Sequence, residues 1–300
     1  MLRQITSMIV FLALAAVPHP AAAQTSRVKT VSLSTGVRMQ YVEQGSVTGL
    51  PVVLLHGYTD SLHSFDPVAP YLPPSWHVFA ITLRGHGDSS RPARGYTPRD
   101  FAADIAAFLD TRKIGRAVIV GHSMGGMIAQ QFALDYPART AALALVATMA
   151  TLRGNESVRE FWQSTIAPLR DPVDADMARG FQQSTLHQPI PPAFLDLAVR
   201  ESLKVPARVW RDTLAALMET DFTGALGQIR APALIIRGDR DTYFSRREQE
   251  ALAAGIRGAR LVVWPEAGHA LHWEQPRRFA DELIAFIQPL TQTKGKKSWK

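Results

Sequence analysis

The stretch Ala117-Val118-Ile119-Val120-Gly121-His122-Ser123-Met124-Gly125-Gly126 decides the fold. Its first four residues form a continuous apolar run, which suits a strand buried on both faces of a parallel sheet. Residues 126–136 read as a helix ended by Pro137. Between strand and helix, Gly121 to Gly125 fits G-x-S-x-G, a turn so sharp that the two elements nearly touch. Only small residues fit two positions either side of the serine, which accounts for both glycines. The pattern predicts a strained backbone at Ser123, its hydroxyl projecting from the turn. The start of the helix would add N–H groups and positive dipole beside it. A phosphate-binding loop is disfavoured, because no Lys follows these glycines.

Working outward, the same rhythm recurs. Residues 28–34 and 37–43 read as a hairpin turned at Thr35-Gly36. Apolar runs at 52–55, 78–83, 143–147, 233–236 and 261–264 read as further strands. Thr97 caps a helix whose first turn holds Pro98, with Phe101, Ile105, Phe108 and Leu109 at helical spacing. Helices are also predicted at 246–254 and 279–287, and a weak, Pro-interrupted one at 62–72. Strands alternating with helices imply a mostly parallel sheet covered on both faces. The rhythm breaks from 150 to 223. There strand-like runs vanish, and Phe161, Trp162, Phe181, Phe194 and Trp210 are scattered among polar helical stretches and prolines.

With these pieces in place, the chain resembles the α/β-hydrolase superfamily from about residue 28 to 290. The resemblance rests on Leu54-Leu55-His56-Gly57, Arg84-Gly85-His86-Gly87-Asp88-Ser89, the Ser123 turn, Gly238-Asp239-Arg240-Asp241 and Ala267-Gly268-His269, in the family's order. It looks most similar to the small, capped esterase, perhydrolase and carbon–carbon hydrolase branch. The resemblance implies an α/β fold with an eight-stranded, mostly parallel sheet flanked by helices. Residues 24–149 and 224–293 would form the core, and 150–223 a helical cap inserted after strand six.

A serine hydroxyl needs a base within reach, and the base needs a partner that fixes its tautomer. In the chain order serine, acid, histidine, the candidates after Ser123 are His187, His269 and His272. His269 directly follows the last strand and is the expected general base. His187 lies in the inserted segment, and His272 reads as a packing or capping residue. Asp239 and Asp241 compete for the acid. The resemblance favours Asp241, leaving Asp239 to stabilise its loop. Backbone N–H groups of Tyr58 and Met124 are the expected oxyanion donors. His56 and His86 read as loop-ordering residues, His63 and His77 as surface or helix residues. His122 is expected to point away from the reacting centre. The resemblance also weighs against epoxide hydrolase and haloalkane dehalogenase activity, since those relatives use an aspartate nucleophile.

Composition bounds the rest. Three hundred residues, 46% of them hydrophobic, suffice for one large core. The absence of cysteine excludes a thiol nucleophile and Cys-based metal sites. No His–carboxylate spacing suggests a metal, and no cofactor is expected. The formal charge is +7, but Lys294, Lys296, Lys297 and Lys300 with Arg3 supply five of these, leaving about +2 over 24–293. The basic balance is therefore no sign of nucleic-acid binding. Arg3, the apolar run 8–17 and the small-x-small pair Ala21/Ala23 read as an export signal cleaved near Ala23. The run is too short to span a bilayer, so stable membrane insertion is not expected. Residues 294–300 form a basic tail. The expected substrate is a small-molecule carboxylic ester or lactone. The alternatives are carbon–carbon bond or metal-free perhydrolase chemistry on the same residues, or a non-catalytic ligand-binding protein of this fold.

Overall fold

The computed structural model describes residues 27–292. The export signal read at 1–23 and the basic tail at 294–300 lie outside them.

Eight strands form one sheet: β1 (Lys29–Ser32), β2 (Arg38–Gly45), β3 (Leu50–Leu55), β4 (Trp76–Thr82), β5 (Ala117–His122), β6 (Thr140–Val146), β7 (Ala233–Gly238) and β8 (Arg260–Trp264). Their spatial order is β1-β2-β4-β3-β5-β6-β7-β8. β2 pairs antiparallel with both β1 and β4, and every later pairing is parallel. All residues of β3, β4, β5 and β7 are buried, as their unbroken apolar runs require of strands covered on both faces. β5 sits near the centre, whereas β8 is an edge strand held only by β7.

Five helices belong to this layered core: α1 (Pro98–Thr111), α2 (Met124–Asp135), α7 (Arg246–Gly255), α8 (Leu271–Glu274) and α9 (Pro276–Gln292). Thr97 and Asp100 close a capping box around α1, with Pro98 at its start. α2 begins two residues before the predicted start, directly after Ser123, because the turn spends no residue between strand and helix. The weak helix read at 62–72 is instead two 3₁₀ turns, Leu62–Phe65 and Ala69–Tyr71, with Pro70 opening the second.

Between β6 and β7 the chain leaves the sheet. It forms α3 (Glu156–Phe161), which continues into a π-helical turn at Trp162–Ile166, then α4 (Ala175–Ser184), α5 (Pro192–Leu203) and α6 (Ala207–Glu219). The segment read as helical is helical, and strand pairing there is limited to one bridge, Thr151 to Asp221. Phe161 and Phe181 stack with ring centroids 5.5 Å apart, and Phe194 meets Trp273 edge-on at 5.4 Å. Among the described residues, no helix is long and apolar enough to cross a membrane.

Candidate active site

Ser123 stands between the last residue of β5 and the first of α2, at φ 53° and ψ −114°. Such a conformation persists only where the surroundings over-determine it. Here Ser123 N–H donates to the Val146 carbonyl at 2.8 Å, and the Thr148 hydroxyl donates to the Ser123 carbonyl at 2.8 Å. Glycine clears the turn. A Cβ on Gly125 would lie 2.4 Å from the Leu55 carbonyl oxygen, and one on Gly121 2.1 Å from that of Gly125. Five non-glycine residues among those described have positive φ. Four of them, Thr59, Ser123, Ala147 and Glu266, follow the C-terminal ends of β3, β5, β6 and β8. Backbone strain is thus gathered at one rim of the sheet, where Ser123 lies.

The loops after β7 and β8 meet at the same rim. Gly238 lets them touch, since a Cβ there would lie 2.0 Å from the Ala267 carbonyl oxygen. Arg240 N–H donates to that carbonyl at 3.0 Å, fixing the two loops together. His269 Nδ1 then reaches both oxygens of Asp241, at 3.1 and 3.2 Å. The Asp241 side chain is fully buried. Burial opposes its charge. The His269 ring and the N–H groups of Tyr243 (2.9 Å) and Phe244 (3.2 Å) outweigh that cost and hold the carboxyl below its usual range. Asp239 faces elsewhere: its carboxylate accepts from Glu266 N–H at 2.7 Å. With Nδ1 donating to Asp241, the lone pair of His269 lies on Nε2.

Ser123, His269, Tyr58 and Met124 line one cavity enclosing about 680 Å³ including its open mouth. Among the described residues the Ser123 hydroxyl has no hydrogen-bond partner and is open to this space. Such contacts commonly tighten only when substrate is bound. The N–H of Tyr58 is also unpaired among the described residues. Met124 opens α2, so its N–H has no acceptor within the helix. Apolar walls come from the insertion and α2, through Leu152, Val158, Phe161, Leu214, Leu217 and Met127.

Two histidines, His122 and His77, differ from expectation. His122 does not point away. Its ring lies 5.0 Å from that of His269, its Nε2–H donates to the His269 carbonyl at 3.1 Å, and it lines the cavity. Burial drives its pKa far down, so it braces the His269 loop as a neutral group. His77 is in β4, buried against Glu43 at 2.6 Å, and is neither a surface nor a helix residue. His272 is buried in α8, its pKa pushed to about 3, and contacts Ser64 at 3.1 Å. His187 sits outside the site against Glu266 at 3.1 Å. His56 orders its loop by accepting Leu83 N–H at 3.0 Å.

The sequence reading missed two polar groups on the cavity wall. Asp60, in the loop after β3, accepts from Gln182 of α4 at 2.9 Å. Burial pushes the Asp60 carboxyl up to about 7, against hydrogen bonds from Gln182 and Ser64 and the nearby His269. Only the short Gly57–Asp60 spacing could have hinted at Asp60, and nothing in sequence pairs it with Gln182. Among the described residues, no group of three or more His, Asp or Glu side chains is gathered as a metal would require.

A family model described as the alpha/beta hydrolase fold matches residues 51–276. The chain belongs to the α/β-hydrolase family. It is 30% identical over 245 residues to a pimeloyl-[acyl-carrier protein] methyl ester esterase of Neisseria meningitidis, covering 79% of this chain and 93% of that one. It is 27% identical over 277 residues to a non-heme chloroperoxidase of Streptomyces lividans, covering 86% and 99%. A solved hydrolase from Pseudomonas aeruginosa superposes with a TM-score of 0.77 at 28% identity, covering 89% and 99%. As an α/β-hydrolase, the protein places Ser123, Asp241 and His269 on the loops after β5, β7 and β8. At the level of the family, the kinship is to hydrolases and esterases.

Proposed function

We propose that this α/β-hydrolase cleaves a small carboxylic ester or lactone through an acyl-enzyme on Ser123. The observation that carries the reading is a buried Asp241–His269 pair opening onto the same cavity as an unpaired, strained serine. In the proposed cycle Ser123 Oγ attacks the acyl carbon while His269 Nε2 takes its proton. Asp241 holds the tautomer and balances the imidazolium. The N–H groups of Tyr58 and Met124 receive the negative oxygen, each worth about 3 kcal/mol if well placed. His269 then protonates the departing alkoxide, leaving Ser123 acylated. Water gives a proton to His269 and attacks the same carbon; the carbon–Oγ bond then breaks, His269 returns the proton to Ser123 Oγ, and the acid is released.

Residues 150–223 act in this reading as a cap whose apolar faces favour small to medium apolar acyl groups. We further propose that the chain is exported, on the strength of the Ala21/Ala23 cleavage pattern. N-terminal sequencing of the protein from its native host would then begin near Gln24, and an intact Met1 would overturn the export proposal.

A panel of p-nitrophenyl esters of increasing acyl length tests the activity. Turnover and fluorophosphonate labelling should both vanish in Ser123→Ala with the fold intact; retained turnover would overturn the mechanism. The likeness to a chloroperoxidase favours one second reading, in which peroxide replaces water at deacylation. Peracid formation from acetate and peroxide distinguishes it.

A further inference from the structure

The cavity wall is apolar except on its His269 side, where Asp60 and Gln182 meet. Asp60 is 5% exposed and Gln182 only 1%. Gln182 Nε2 donates to Asp60 Oδ1 at 2.9 Å and to Ser202 Oγ at 2.8 Å. Both amide protons are therefore spent inside the protein, and Oε1 is left over. Gln182 Oε1 itself accepts no hydrogen bond among the described residues, and Gln182 lines the cavity. The Ser64 hydroxyl reaches Asp60 Oδ2 only at 3.4 Å, and the Gly57 backbone also hydrogen-bonds the carboxyl. Gln182 Oε1 is thus left without a donor, beside an Asp60 carboxyl that becomes a full acceptor only as it ionises, in a wall that otherwise offers little polarity.

Their position relative to the chemistry is fixed by the backbone. Ala270 N–H donates to the Thr185 carbonyl at 2.9 Å, pinning the end of α4 to the His269 loop with Gln182 three residues back. On the other side, a Cβ on Gly57 would lie 2.8 Å from His122 Nδ1 and 3.1 Å from Asp60 Oδ2. His122 is itself bonded to the His269 carbonyl. The pair therefore lies beside the His269 loop, with the Asp60 carboxyl near enough to the His269 ring to feel its charge.

We propose that Asp60 and Gln182 form a leaving-group subsite that selects esters whose alcohol portion carries a hydrogen-bond donor, a hydroxyl or amide N–H, a few atoms beyond the scissile oxygen. The inference rests on the hydrolase reading above. An apolar alcohol would cover both acceptors and strip their water without replacement, and selectivity arises from that penalty. A neutral donor suits the pair better than a cation, since burial works against a full charge on Asp60.

The test compares two esters of one acyl group with alcohols of matched size, pentyl and 4-hydroxybutyl. The wild-type protein should favour the hydroxylated ester by about tenfold in kcat/KM, the worth of one well-formed hydrogen bond. Gln182→Met and Asp60→Asn should each bring the ratio of the two values toward one, whatever their common level. Competitive inhibition of the wild-type protein gives a reading that needs no variant: 1,4-butanediol should inhibit more strongly than 1-pentanol. Equal wild-type values, equal inhibition, or an unchanged ratio in a folded Gln182→Met protein would each overturn the subsite. Neither ester being cleaved, with Ser123 also inert to fluorophosphonate, would instead defeat the hydrolase reading, and the subsite with it.

Discussion

The Tyr58 hydroxyl donates a 2.6 Å hydrogen bond to the main-chain carbonyl of Trp210, joining the loop after β3 to helix α6 across 152 residues of sequence. Both rings are buried and meet edge-on at 5.3 Å. Tyr58→Phe would leave the Trp210 carbonyl without this donor in a dry environment, at a cost of about 1–3 kcal/mol. A lower thermal midpoint is expected. If Tyr58 N–H is an oxyanion donor, kcat should fall while KM changes less. A normal midpoint with unchanged kcat would show that the bond positions nothing.

Asp241 and Asp239 should separate by function. Asp241→Asn keeps the shape but removes the charge and favours the wrong His269 tautomer, so kcat should drop by about 10⁴. Asp239→Ala removes the acceptor of Glu266 N–H and a loose, exposed pairing with Arg240 at 3.8 Å, and its effect should stay near the tenfold that a single hydrogen bond supplies. Steady-state kinetics on one ester decides between them, and comparable losses would place the acid wrongly.

Gly125→Ala should fail at the level of folding. Its Cβ would enter a 2.4 Å approach to the Leu55 carbonyl and a 2.7 Å approach to that of His56, both backbone atoms. A cost of about 3 kcal/mol, the upper range for overpacking, is expected in denaturant titrations. Gly180→Ala, with nothing near its Cβ, serves as the control and should be neutral or stabilising.

Asp60 makes stability depend on pH. Its folded pKa of about 7 lies above the ordinary 3.8 of the unfolded chain, so between these values the folded state binds more protons. This contribution to stability is therefore present below about pH 4, declines as pH rises toward 7, and changes no further above it. Asp60→Asn lacks that titration. Relative to wild type, the variant should gain stability between pH 5 and pH 8 in urea unfolding, and a difference that is flat with pH would contradict the raised pKa.

The architecture was legible because strands buried on both faces write themselves as unbroken apolar runs, and because Gly121 and Gly125 frame Ser123 in a turn few other sequences can make. The Asp241–His269 pairing followed from chain order and resemblance. What escaped was contact across long separations. Asp60 and Gln182 lie 122 residues apart and meet only once α4 is laid over the β3 loop. His122 was misread for a related reason: alternation along a strand says which face a side chain takes, not that the β8 loop will curl back to offer it the His269 carbonyl. The faces of α3 to α6 were unreadable because their apolar residues serve the core and the cavity alike.

The proposed nucleophile, Ser123, hangs from β5, in the middle of the sheet, whereas the proposed base, His269, hangs from β8, its outermost rung, which is gripped along one side only. Marginal strands let go first as conditions turn mildly denaturing. A small retreat of β8 would carry the imidazole away while the centre of the sheet remained whole. Catalysis in this protein should therefore disappear at a lower urea concentration than its far-ultraviolet circular dichroism. The enzyme would fall silent before it comes apart.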